Sequence, residues 1–190
     1  ATPPADTADR PLDALREILA GRGLAGWYVG REDMFQGEEV PASEERLAFI
    51  SGFTGSAGVG LILSDEAALF SDGRYTLQMA NQTDPAQWQT FTLPEADLGG
   101  FLAGRQLTGA RIGVDPRLIT VRGFERLAES CRAAGAELVA DDANPVDAVW
   151  GRGRPAAAAS RPFAMPERVA GQSMAGKLAA LDGKLAAANC

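Results

Sequence analysis

The sequence contains no histidine among its 190 residues. This absence excludes Ser-His-Asp and Cys-His catalytic sites, and it excludes histidine-rich zinc sites, which two cysteines cannot replace. The only lysines are Lys177 and Lys184, so a phosphate-binding loop that ends in Gly-Lys-Ser or Gly-Lys-Thr is absent as well. The side chains of this sequence alone therefore do not predict a catalytic site.

Cysteine, long apolar runs and positive charge are also scarce. Cys131 and Cys190 cannot form a disulfide framework, and reduced thiols in a cytoplasmic protein are the simplest interpretation. The apolar runs are shorter than a membrane span, and the first ten residues, ATPPADTADR, lack the pattern of a signal peptide. The net charge of −7 argues against nucleic acid. We therefore expect a cytoplasmic protein with no membrane or nucleic-acid partner.

The most informative stretch is residues 46–75, RLAFISGFTGSAGVGLILSDEAALFSDGRY. Four glycines at 52, 55, 58 and 60 predict a tight turn that needs positive φ angles or close backbone approach. Val59–Leu63 and Ala67–Ser71 are predicted to pair as a β-hairpin.

A polar cluster follows the hairpin. Asp72 is predicted to cap a helix that begins near Gly73, because short acidic side chains accept hydrogen bonds from the free N–H groups of a first turn. Arg74 and Tyr75 would then lie in that first turn, close to the mouth of the hairpin.

The rest of the chain alternates between helical and extended patterns. Together with the hairpin, this alternation predicts an α/β fold with a mixed sheet and helices on its faces. Cys131 lies on the apolar face of a predicted helix, so we expect a buried side chain. The further predicted helices begin at Pro11, Ala96, Thr120, Pro145 and Ser173, and the further strands are Gly26–Val29, Gln87–Leu93, Arg111–Val114 and Glu137–Ala140.

FISGFTGSAG followed by SDGRYTLQMANQ resembles the N-terminal domain of Xaa-Pro aminopeptidases, in particular the long, three-domain form of aminopeptidase P within the creatinase/prolidase/aminopeptidase P group. The resemblance implies a mixed sheet of about six strands with flanking helices, in the ribonuclease H-like arrangement of creatinase N-terminal domains. The alternative is that the glycine turn and the capped helix only build a core.

The resemblance also implies a domain organisation. We expect a disordered N-terminus at 1–10, a creatinase-type N-terminal domain at 11–150 and a linker at 151–172. Residues 173–190 would be the first helix of a truncated second domain, and the alternative is a C-terminal helix docked on the first domain.

In the family the chemistry belongs to a later domain, which holds two divalent metal ions, Mn or Zn. This chain would accordingly have no catalytic residues, metal ligands or cofactor of its own. The implied activity of the full-length enzyme is removal of the N-terminal residue from peptides with proline at position two. The implied partners are the missing catalytic domain, short proline-containing peptides and, at full length, a second copy in a homodimer.

The role implied for this chain is substrate gating and dimer contact. The candidate gating residues are Phe53, Ser56, Asp72, Arg74 and Tyr75. Arg74 could alternatively pair only with Asp72. The alternative function is a free-standing creatinase-fold interaction module without enzyme activity.

One segment departs from the family. Many relatives carry Asp-x-His-x-Ser-Glu-Tyr where this chain has the acidic loop 31–45, REDMFQGEEVPASEE, with neither the histidine nor the tyrosine. Met34 and Phe35 occupy this place, and we expect them either to pack or to form a small exposed apolar contact.

Overall fold

The computed structural model describes residues 11–157 and 159–189, and the chain divides into two compact units between residues 158 and 159. The prediction of a disordered segment at 1–10 and the thiol of Cys190 both lie outside the described residues. The first unit contains the sheet and the candidate site.

The first unit is built on a six-stranded mixed sheet with the strand order β4-β3-β2-β1-β5-β6. Neighbours β1–β2 and β2–β3 are antiparallel, whereas β3–β4, β1–β5 and β5–β6 are parallel. The predicted mixed sheet of about six strands is therefore confirmed. The strands are β1 (Gly26–Gly30), β2 (Val59–Leu63), β3 (Ala67–Asp72), β4 (Gln89–Leu93), β5 (Arg111–Val114) and β6 (Glu137–Ala140).

Short helices surround the sheet, and short polar side chains cap several of them. Thr120 Oγ1 accepts from the Gly123 N–H at 3.0 Å, and Asn144 Oδ1 accepts from the Val146 N–H at 3.0 Å. Such caps satisfy N–H groups that have no partner inside the helix. The helices of this unit are α1 (Pro11–Gly21), α2 (Arg46–Ser51), α3 (Thr76–Gln82), α4 (Leu98–Ala103), α5 (Val121–Ala133) and α6 (Pro145–Trp150).

Alternation along the strands divides the core into one cluster on each face of the sheet. Ile62 and Leu69 point to the cluster that contains the apolar side chains of α1 and α2. Leu61 and Phe70 point to the other cluster, with the side chains of α4 and α5. Burial of side chains of this size contributes about 1.5–3 kcal/mol each, so both faces stabilise the sheet.

The two faces of the sheet also separate side chains that are close in the sequence. Trp88 belongs to the first cluster and Phe91 packs against the second. Cys131 is fully buried in the second cluster, as predicted, and burial raises the pKa of its thiol to about 11.

An ion-pair network joins α2 to α6 and to the segment after α6. Arg46 donates to Asp147 through Nε at 2.7 Å and through Nη2 at 3.0 Å, and its Nη1 lies 2.5 Å from Glu44 Oε2. Arg154 contacts the same two carboxylates at 2.9 and 2.8 Å. Each acid therefore bridges two arginines, and the network closes over the Arg46 side chain, which is only 5% exposed.

Three helical elements differ from the sequence predictions. The helix predicted over Ala96–Gln106 spans only Leu98–Ala103, because Asp97 caps it and the cap residue Gly104 ends it. Helix α2 was not predicted, since no side-chain cap marks its start. In the second unit, the four-residue helix α7 (Glu167–Ala170) lies inside the predicted linker.

The second unit consists mainly of α8 (Met174–Ala187), which Ser173 caps as predicted by accepting from the Gly176 N–H at 3.1 Å. Its apolar side chains are exposed to solvent: Met174, Leu178, Leu181 and Leu185. Among residues 11–157 and 159–189, no helix combines the length and the apolar character that crossing a membrane requires.

Candidate functional site

The glycine turn lies across the end of β3. Gly52 ends α2 at a φ of +80°, and its N–H donates to Ala48 O at 2.8 Å. Ser71 Oγ then donates to Ala57 O at 2.6 Å, which holds the turn against β3. The turn therefore places Ser56 beside the residues that follow β3.

Gly55, Gly58 and Gly60 do not have positive φ angles, so of the two reasons for glycine in this turn only the close approach of other atoms applies to them. A methyl group on Gly55 would overlap the Phe53 ring, and one on Gly58 would lie 3.0 Å from the same ring. Glycine is required at Gly55 because an aromatic ring occupies the space of a side chain.

Asp72 and Arg74 form an ion pair at the end of β3. Asp72 Oδ1 accepts from the Arg74 backbone N–H at 3.0 Å, which caps the short 3₁₀ turn Gly73–Tyr75 as predicted. The guanidinium donates to both carboxylate oxygens at 2.8 Å, and these bonds lower the pKa of Asp72 to about 2. The Arg74 side chain is nevertheless 69% exposed.

Tyr75 connects this ion pair to the glycine turn. Its hydroxyl lies 2.5 Å from Ser56 Oγ, and this hydrogen bond lowers the pKa of the Tyr75 phenol. The Phe53 ring meets the Tyr75 ring edge-on at 5.8 Å, and the Arg74 guanidinium lies 5.1 Å from the centre of the Tyr75 ring.

The five residues singled out in the sequence therefore form one group, which we call the Arg74 patch: Phe53, Ser56, Asp72, Arg74 and Tyr75. Phe53 is only 1% exposed, so it supports Tyr75 from the core and does not reach solvent. The ion pair between Arg74 and Asp72, which was the expected alternative to a gating role, is present as well. This ion pair leaves Nη1 of Arg74 without a hydrogen-bond partner among the described residues.

A cleft of about 240 Å³ adjoins the patch and shares Ser56 and Asp72 with it. Sequence reasoning missed two further residues of this cleft, Arg31 and Glu32, because each lies in a loop without a recognisable motif. Burial raises the pKa of the Glu32 carboxyl to about 7, and the opposing effect of Arg31 is smaller.

The loop 31–45 has its own internal structure. Asp33 is 5% exposed, and its Oδ1 accepts from the backbone N–H groups of Phe35 and Gly37, both at 2.9 Å. Met34 and Phe35 are 59% and 81% exposed. They are thus not packed, and of the two expectations the exposed one is correct.

The described part of the chain contains no set of side chains arranged as metal ligands. Within residues 11–157 and 159–189, no group of three or more Cys, Asp or Glu side chains is arranged to hold an ion. Three acids of this unit are paired with arginines: Asp72 with Arg74, Glu45 with Arg31, and Glu44 with Arg46.

The fold and the motifs define a class of protein. Residues 11–147 match the family model of the Creatinase/Prolidase N-terminal domain. The chain belongs to this family.

Two curated proteins are similar to nearly the whole of this chain. The chain is 38% identical over 190 residues to a probable Xaa-Pro aminopeptidase P of Arthroderma otae, covering 97% of this chain and 30% of the fungal protein. It is also 38% identical over 186 residues to the probable Xaa-Pro aminopeptidase P of Penicillium rubens, covering 95% of this chain and 30% of that protein. The chain thus spans about 30% of the length of these curated relatives.

Solved structures agree with this assignment. An X-prolyl aminopeptidase from Caenorhabditis elegans, described as a cytosolic enzyme with a di-nuclear active site, superposes with a TM-score of 0.79 at 27% identity, over 96% of this chain and 32% of that one. The N-terminal domain of the cytoplasmic peptidase PepQ from Mycobacterium tuberculosis superposes with a TM-score of 0.55 at 28% identity, over 73% of this chain and 97% of that one.

Proposed function

We propose that this chain is the non-catalytic N-terminal domain of a metal-dependent Xaa-Pro aminopeptidase. Such an enzyme removes the N-terminal residue from peptides that have proline at position two. The observation that carries the proposal is the similarity to Xaa-Pro aminopeptidases P over 97% of this chain, which corresponds to only 30% of the relative.

The chemistry would then take place in a catalytic domain of the same protein. There, two divalent ions, Mn or Zn, would supply Lewis acidity to the scissile carbonyl and activate the attacking water. The task of residues 11–157 is to restrict and orient what reaches that centre. We further propose that the full-length protein is a cytoplasmic homodimer.

The Arg74 patch is the part of this domain that supports a gating role. The Asp72 carboxylate accepts hydrogen bonds from Nε and Nη2 of Arg74, so the guanidinium has a fixed direction. Nη1 and the outer N–H of Nη2 still point away from Asp72, and two parallel N–H groups suit one carboxylate. In this proposal Arg74 binds the C-terminal carboxylate of a short peptide, while Ser56 and Tyr75 hold the patch in place.

The test is an assay of the complete polypeptide that the gene encodes, beside the 190-residue chain alone. The complete protein, dialysed and then supplied with Mn or Zn, is expected to release arginine from Arg-Pro-Pro. The 190-residue chain is expected to remain inactive under the same conditions. A reading frame that stops after Cys190 would favour the free-standing interaction module, and hydrolysis by the short chain would overturn the proposed division of labour.

A further inference from the structure

The loop 31–45 is fastened at its base by one arginine. Arg31 donates through Nη2 to Glu45 Oε1 at 3.0 Å and through Nη1 to the carbonyl oxygens of Glu38 and Ser56, at 3.2 and 3.3 Å. Its backbone N–H donates to Gly58 O at 3.0 Å. These contacts join both sides of the loop to the glycine turn, so the loop and the Arg74 patch share a support.

Next to this arginine lies a carboxyl group in an unfavourable environment. Glu32 Oε2 is buried and has no hydrogen-bond partner among the described residues. This oxygen occupies the space where Gly30 would carry a Cβ. A buried carboxylate oxygen without a partner is costly, because it gives up hydration and gains no equivalent hydrogen bond. The closed loop therefore favours the neutral, protonated form of Glu32.

The groups that face Glu32 do not compensate for this cost. The positive charge that lowers the pKa of Glu32 is Arg31, whose terminal nitrogens donate to Glu45, Glu38 and Ser56 and whose buried Nε has no hydrogen-bond partner among the described residues. Tyr28 on β1 is partly buried, and desolvation and the charge of Glu32 raise its pKa. Asp72 lines the same cleft as Glu32, but its charge is paired with Arg74. In line with this balance, the pKa of Glu32 is about 7.

We propose that Glu32 is a proton-controlled latch: the loop 31–45 stays fastened to the glycine turn while Glu32 is neutral and is released when Glu32 ionises. In an open loop the carboxyl meets water, where a glutamic acid has a pKa of roughly 4.3. The open state then binds fewer protons than the closed state between about pH 4.3 and pH 7. Opening therefore becomes more favourable as the pH rises through this window, by at most about tenfold per pH unit, and levels off above pH 7.

The absence of histidine makes the pH dependence of this loop easier to assign. The chain contains no histidine, so the side chain that ordinarily titrates near neutral pH is absent. A conformational transition of the loop between pH 5 and pH 8 that Glu32→Gln abolishes can therefore be assigned to the Glu32 carboxyl and not to the α-amino group. The reporters are the backbone amides of Phe35 and Gly37, because the closed loop bonds both of them to Asp33.

The experiment measures hydrogen exchange of these two amides from pH 5 to pH 8, relative to their intrinsic exchange rates. Protection in the unmodified chain is expected to fall by about two orders of magnitude across this range. Glu32→Gln keeps the shape of the neutral form and is expected to hold protection constant within about threefold. Glu39→Gln removes a charge from an exposed position of the same loop and is expected to behave like the unmodified chain.

A second variant tests the latch by preventing the closed state of the loop. Gly30→Ala places a methyl group where Glu32 Oε2 lies, so the carboxyl is expelled at every pH. Both amides are then expected to exchange rapidly even at pH 5, and the Glu32 carboxyl to titrate near its ordinary pKa of roughly 4.3 in an NMR experiment. The proposal is wrong if Glu32→Gln retains the pH dependence of the unmodified chain, or if Glu32 of the unmodified chain titrates near pH 4.

Discussion

The hydroxyl groups of Ser56 and Tyr75 lie 2.5 Å apart and join the glycine turn to the helical turn after β3. The two residues are nineteen positions apart in the sequence, and the hairpin between them brings them together. Because the Tyr75 ring also meets Phe53, the Arg74 patch is anchored in the core and is arranged before any ligand arrives.

The first prediction concerns the two tyrosines of the chain. The hydrogen bond between Ser56 and Tyr75 lowers the pKa of Tyr75, whereas burial raises the pKa of Tyr28. An ultraviolet titration of tyrosinate is therefore expected to show one transition below the ordinary pKa of roughly 10 and one above it. Ser56→Ala is expected to return the lower transition to the ordinary value.

Tyr28→Phe provides the matched control, because it should remove only the upper transition. A single transition near pH 10 that accounts for both phenols would contradict the arrangement of Ser56 and Tyr75.

The second prediction concerns the glycine turn. Gly55→Ala is expected to lower the free energy of unfolding by about 1–3 kcal/mol, because the new methyl group overlaps the Phe53 ring in a packed core. Gly104→Ala is the control, since a Cβ there meets no atom within 4 Å. Thermal denaturation measures both variants, and equal melting temperatures for the two would show that the Phe53 ring can move aside.

The third prediction concerns the network around Arg46. Arg46→Ala leaves Glu44 and Asp147 with Arg154 as their remaining shared cation, and the expected loss of stability is about 3 kcal/mol. Arg152→Ala removes an exposed arginine five residues after Asp147 and is expected to change stability by less than about 0.5 kcal/mol. Urea denaturation distinguishes the two, and a loss below about 1 kcal/mol for Arg46→Ala would mean that the network contributes little.

The predictable parts of the fold are those whose sequence pattern lies within a few neighbouring residues. The hairpin β2–β3 and the strands β5 and β6 have the predicted bounds within one residue, because short apolar runs between turn residues delimit them. The caps at Asp72, Thr120 and Ser173 were predictable for the same reason: one side chain bonds to N–H groups two or three residues away.

What the sequence could not predict depends on three-dimensional contacts that no local sequence pattern reveals. Helix α2 has no capping side chain at its start, and its first residue, Arg46, is held by Asp147 about a hundred positions later. The raised pKa of Glu32 arises from burial of its carboxyl, whose Oε2 packs against Gly30. Phe35 is exposed because Asp33 fixes the backbone of its turn, which hydrophobicity alone does not reveal.

The central claim is that residues of this domain select the peptides of a Xaa-Pro aminopeptidase, and Arg74 tests it most directly. The measurement is KM of the full-length protein for a short Xaa-Pro peptide with a free C-terminus and for the same peptide amidated, in the unmodified enzyme and in Arg74→Ala. Loss of a charge-assisted pair worth about 1.5–3 kcal/mol predicts an increase in KM of at least about tenfold for the free peptide.

The amidated peptide should be much less affected, and metal content should not change, because the proposed metal site belongs to another domain. Arg152→Ala, an exposed arginine outside the patch, should leave both KM values unchanged. If Arg74→Ala instead lowers the melting temperature and affects both peptides alike, then Arg74 is a structural partner of Asp72 and the gating role is wrong.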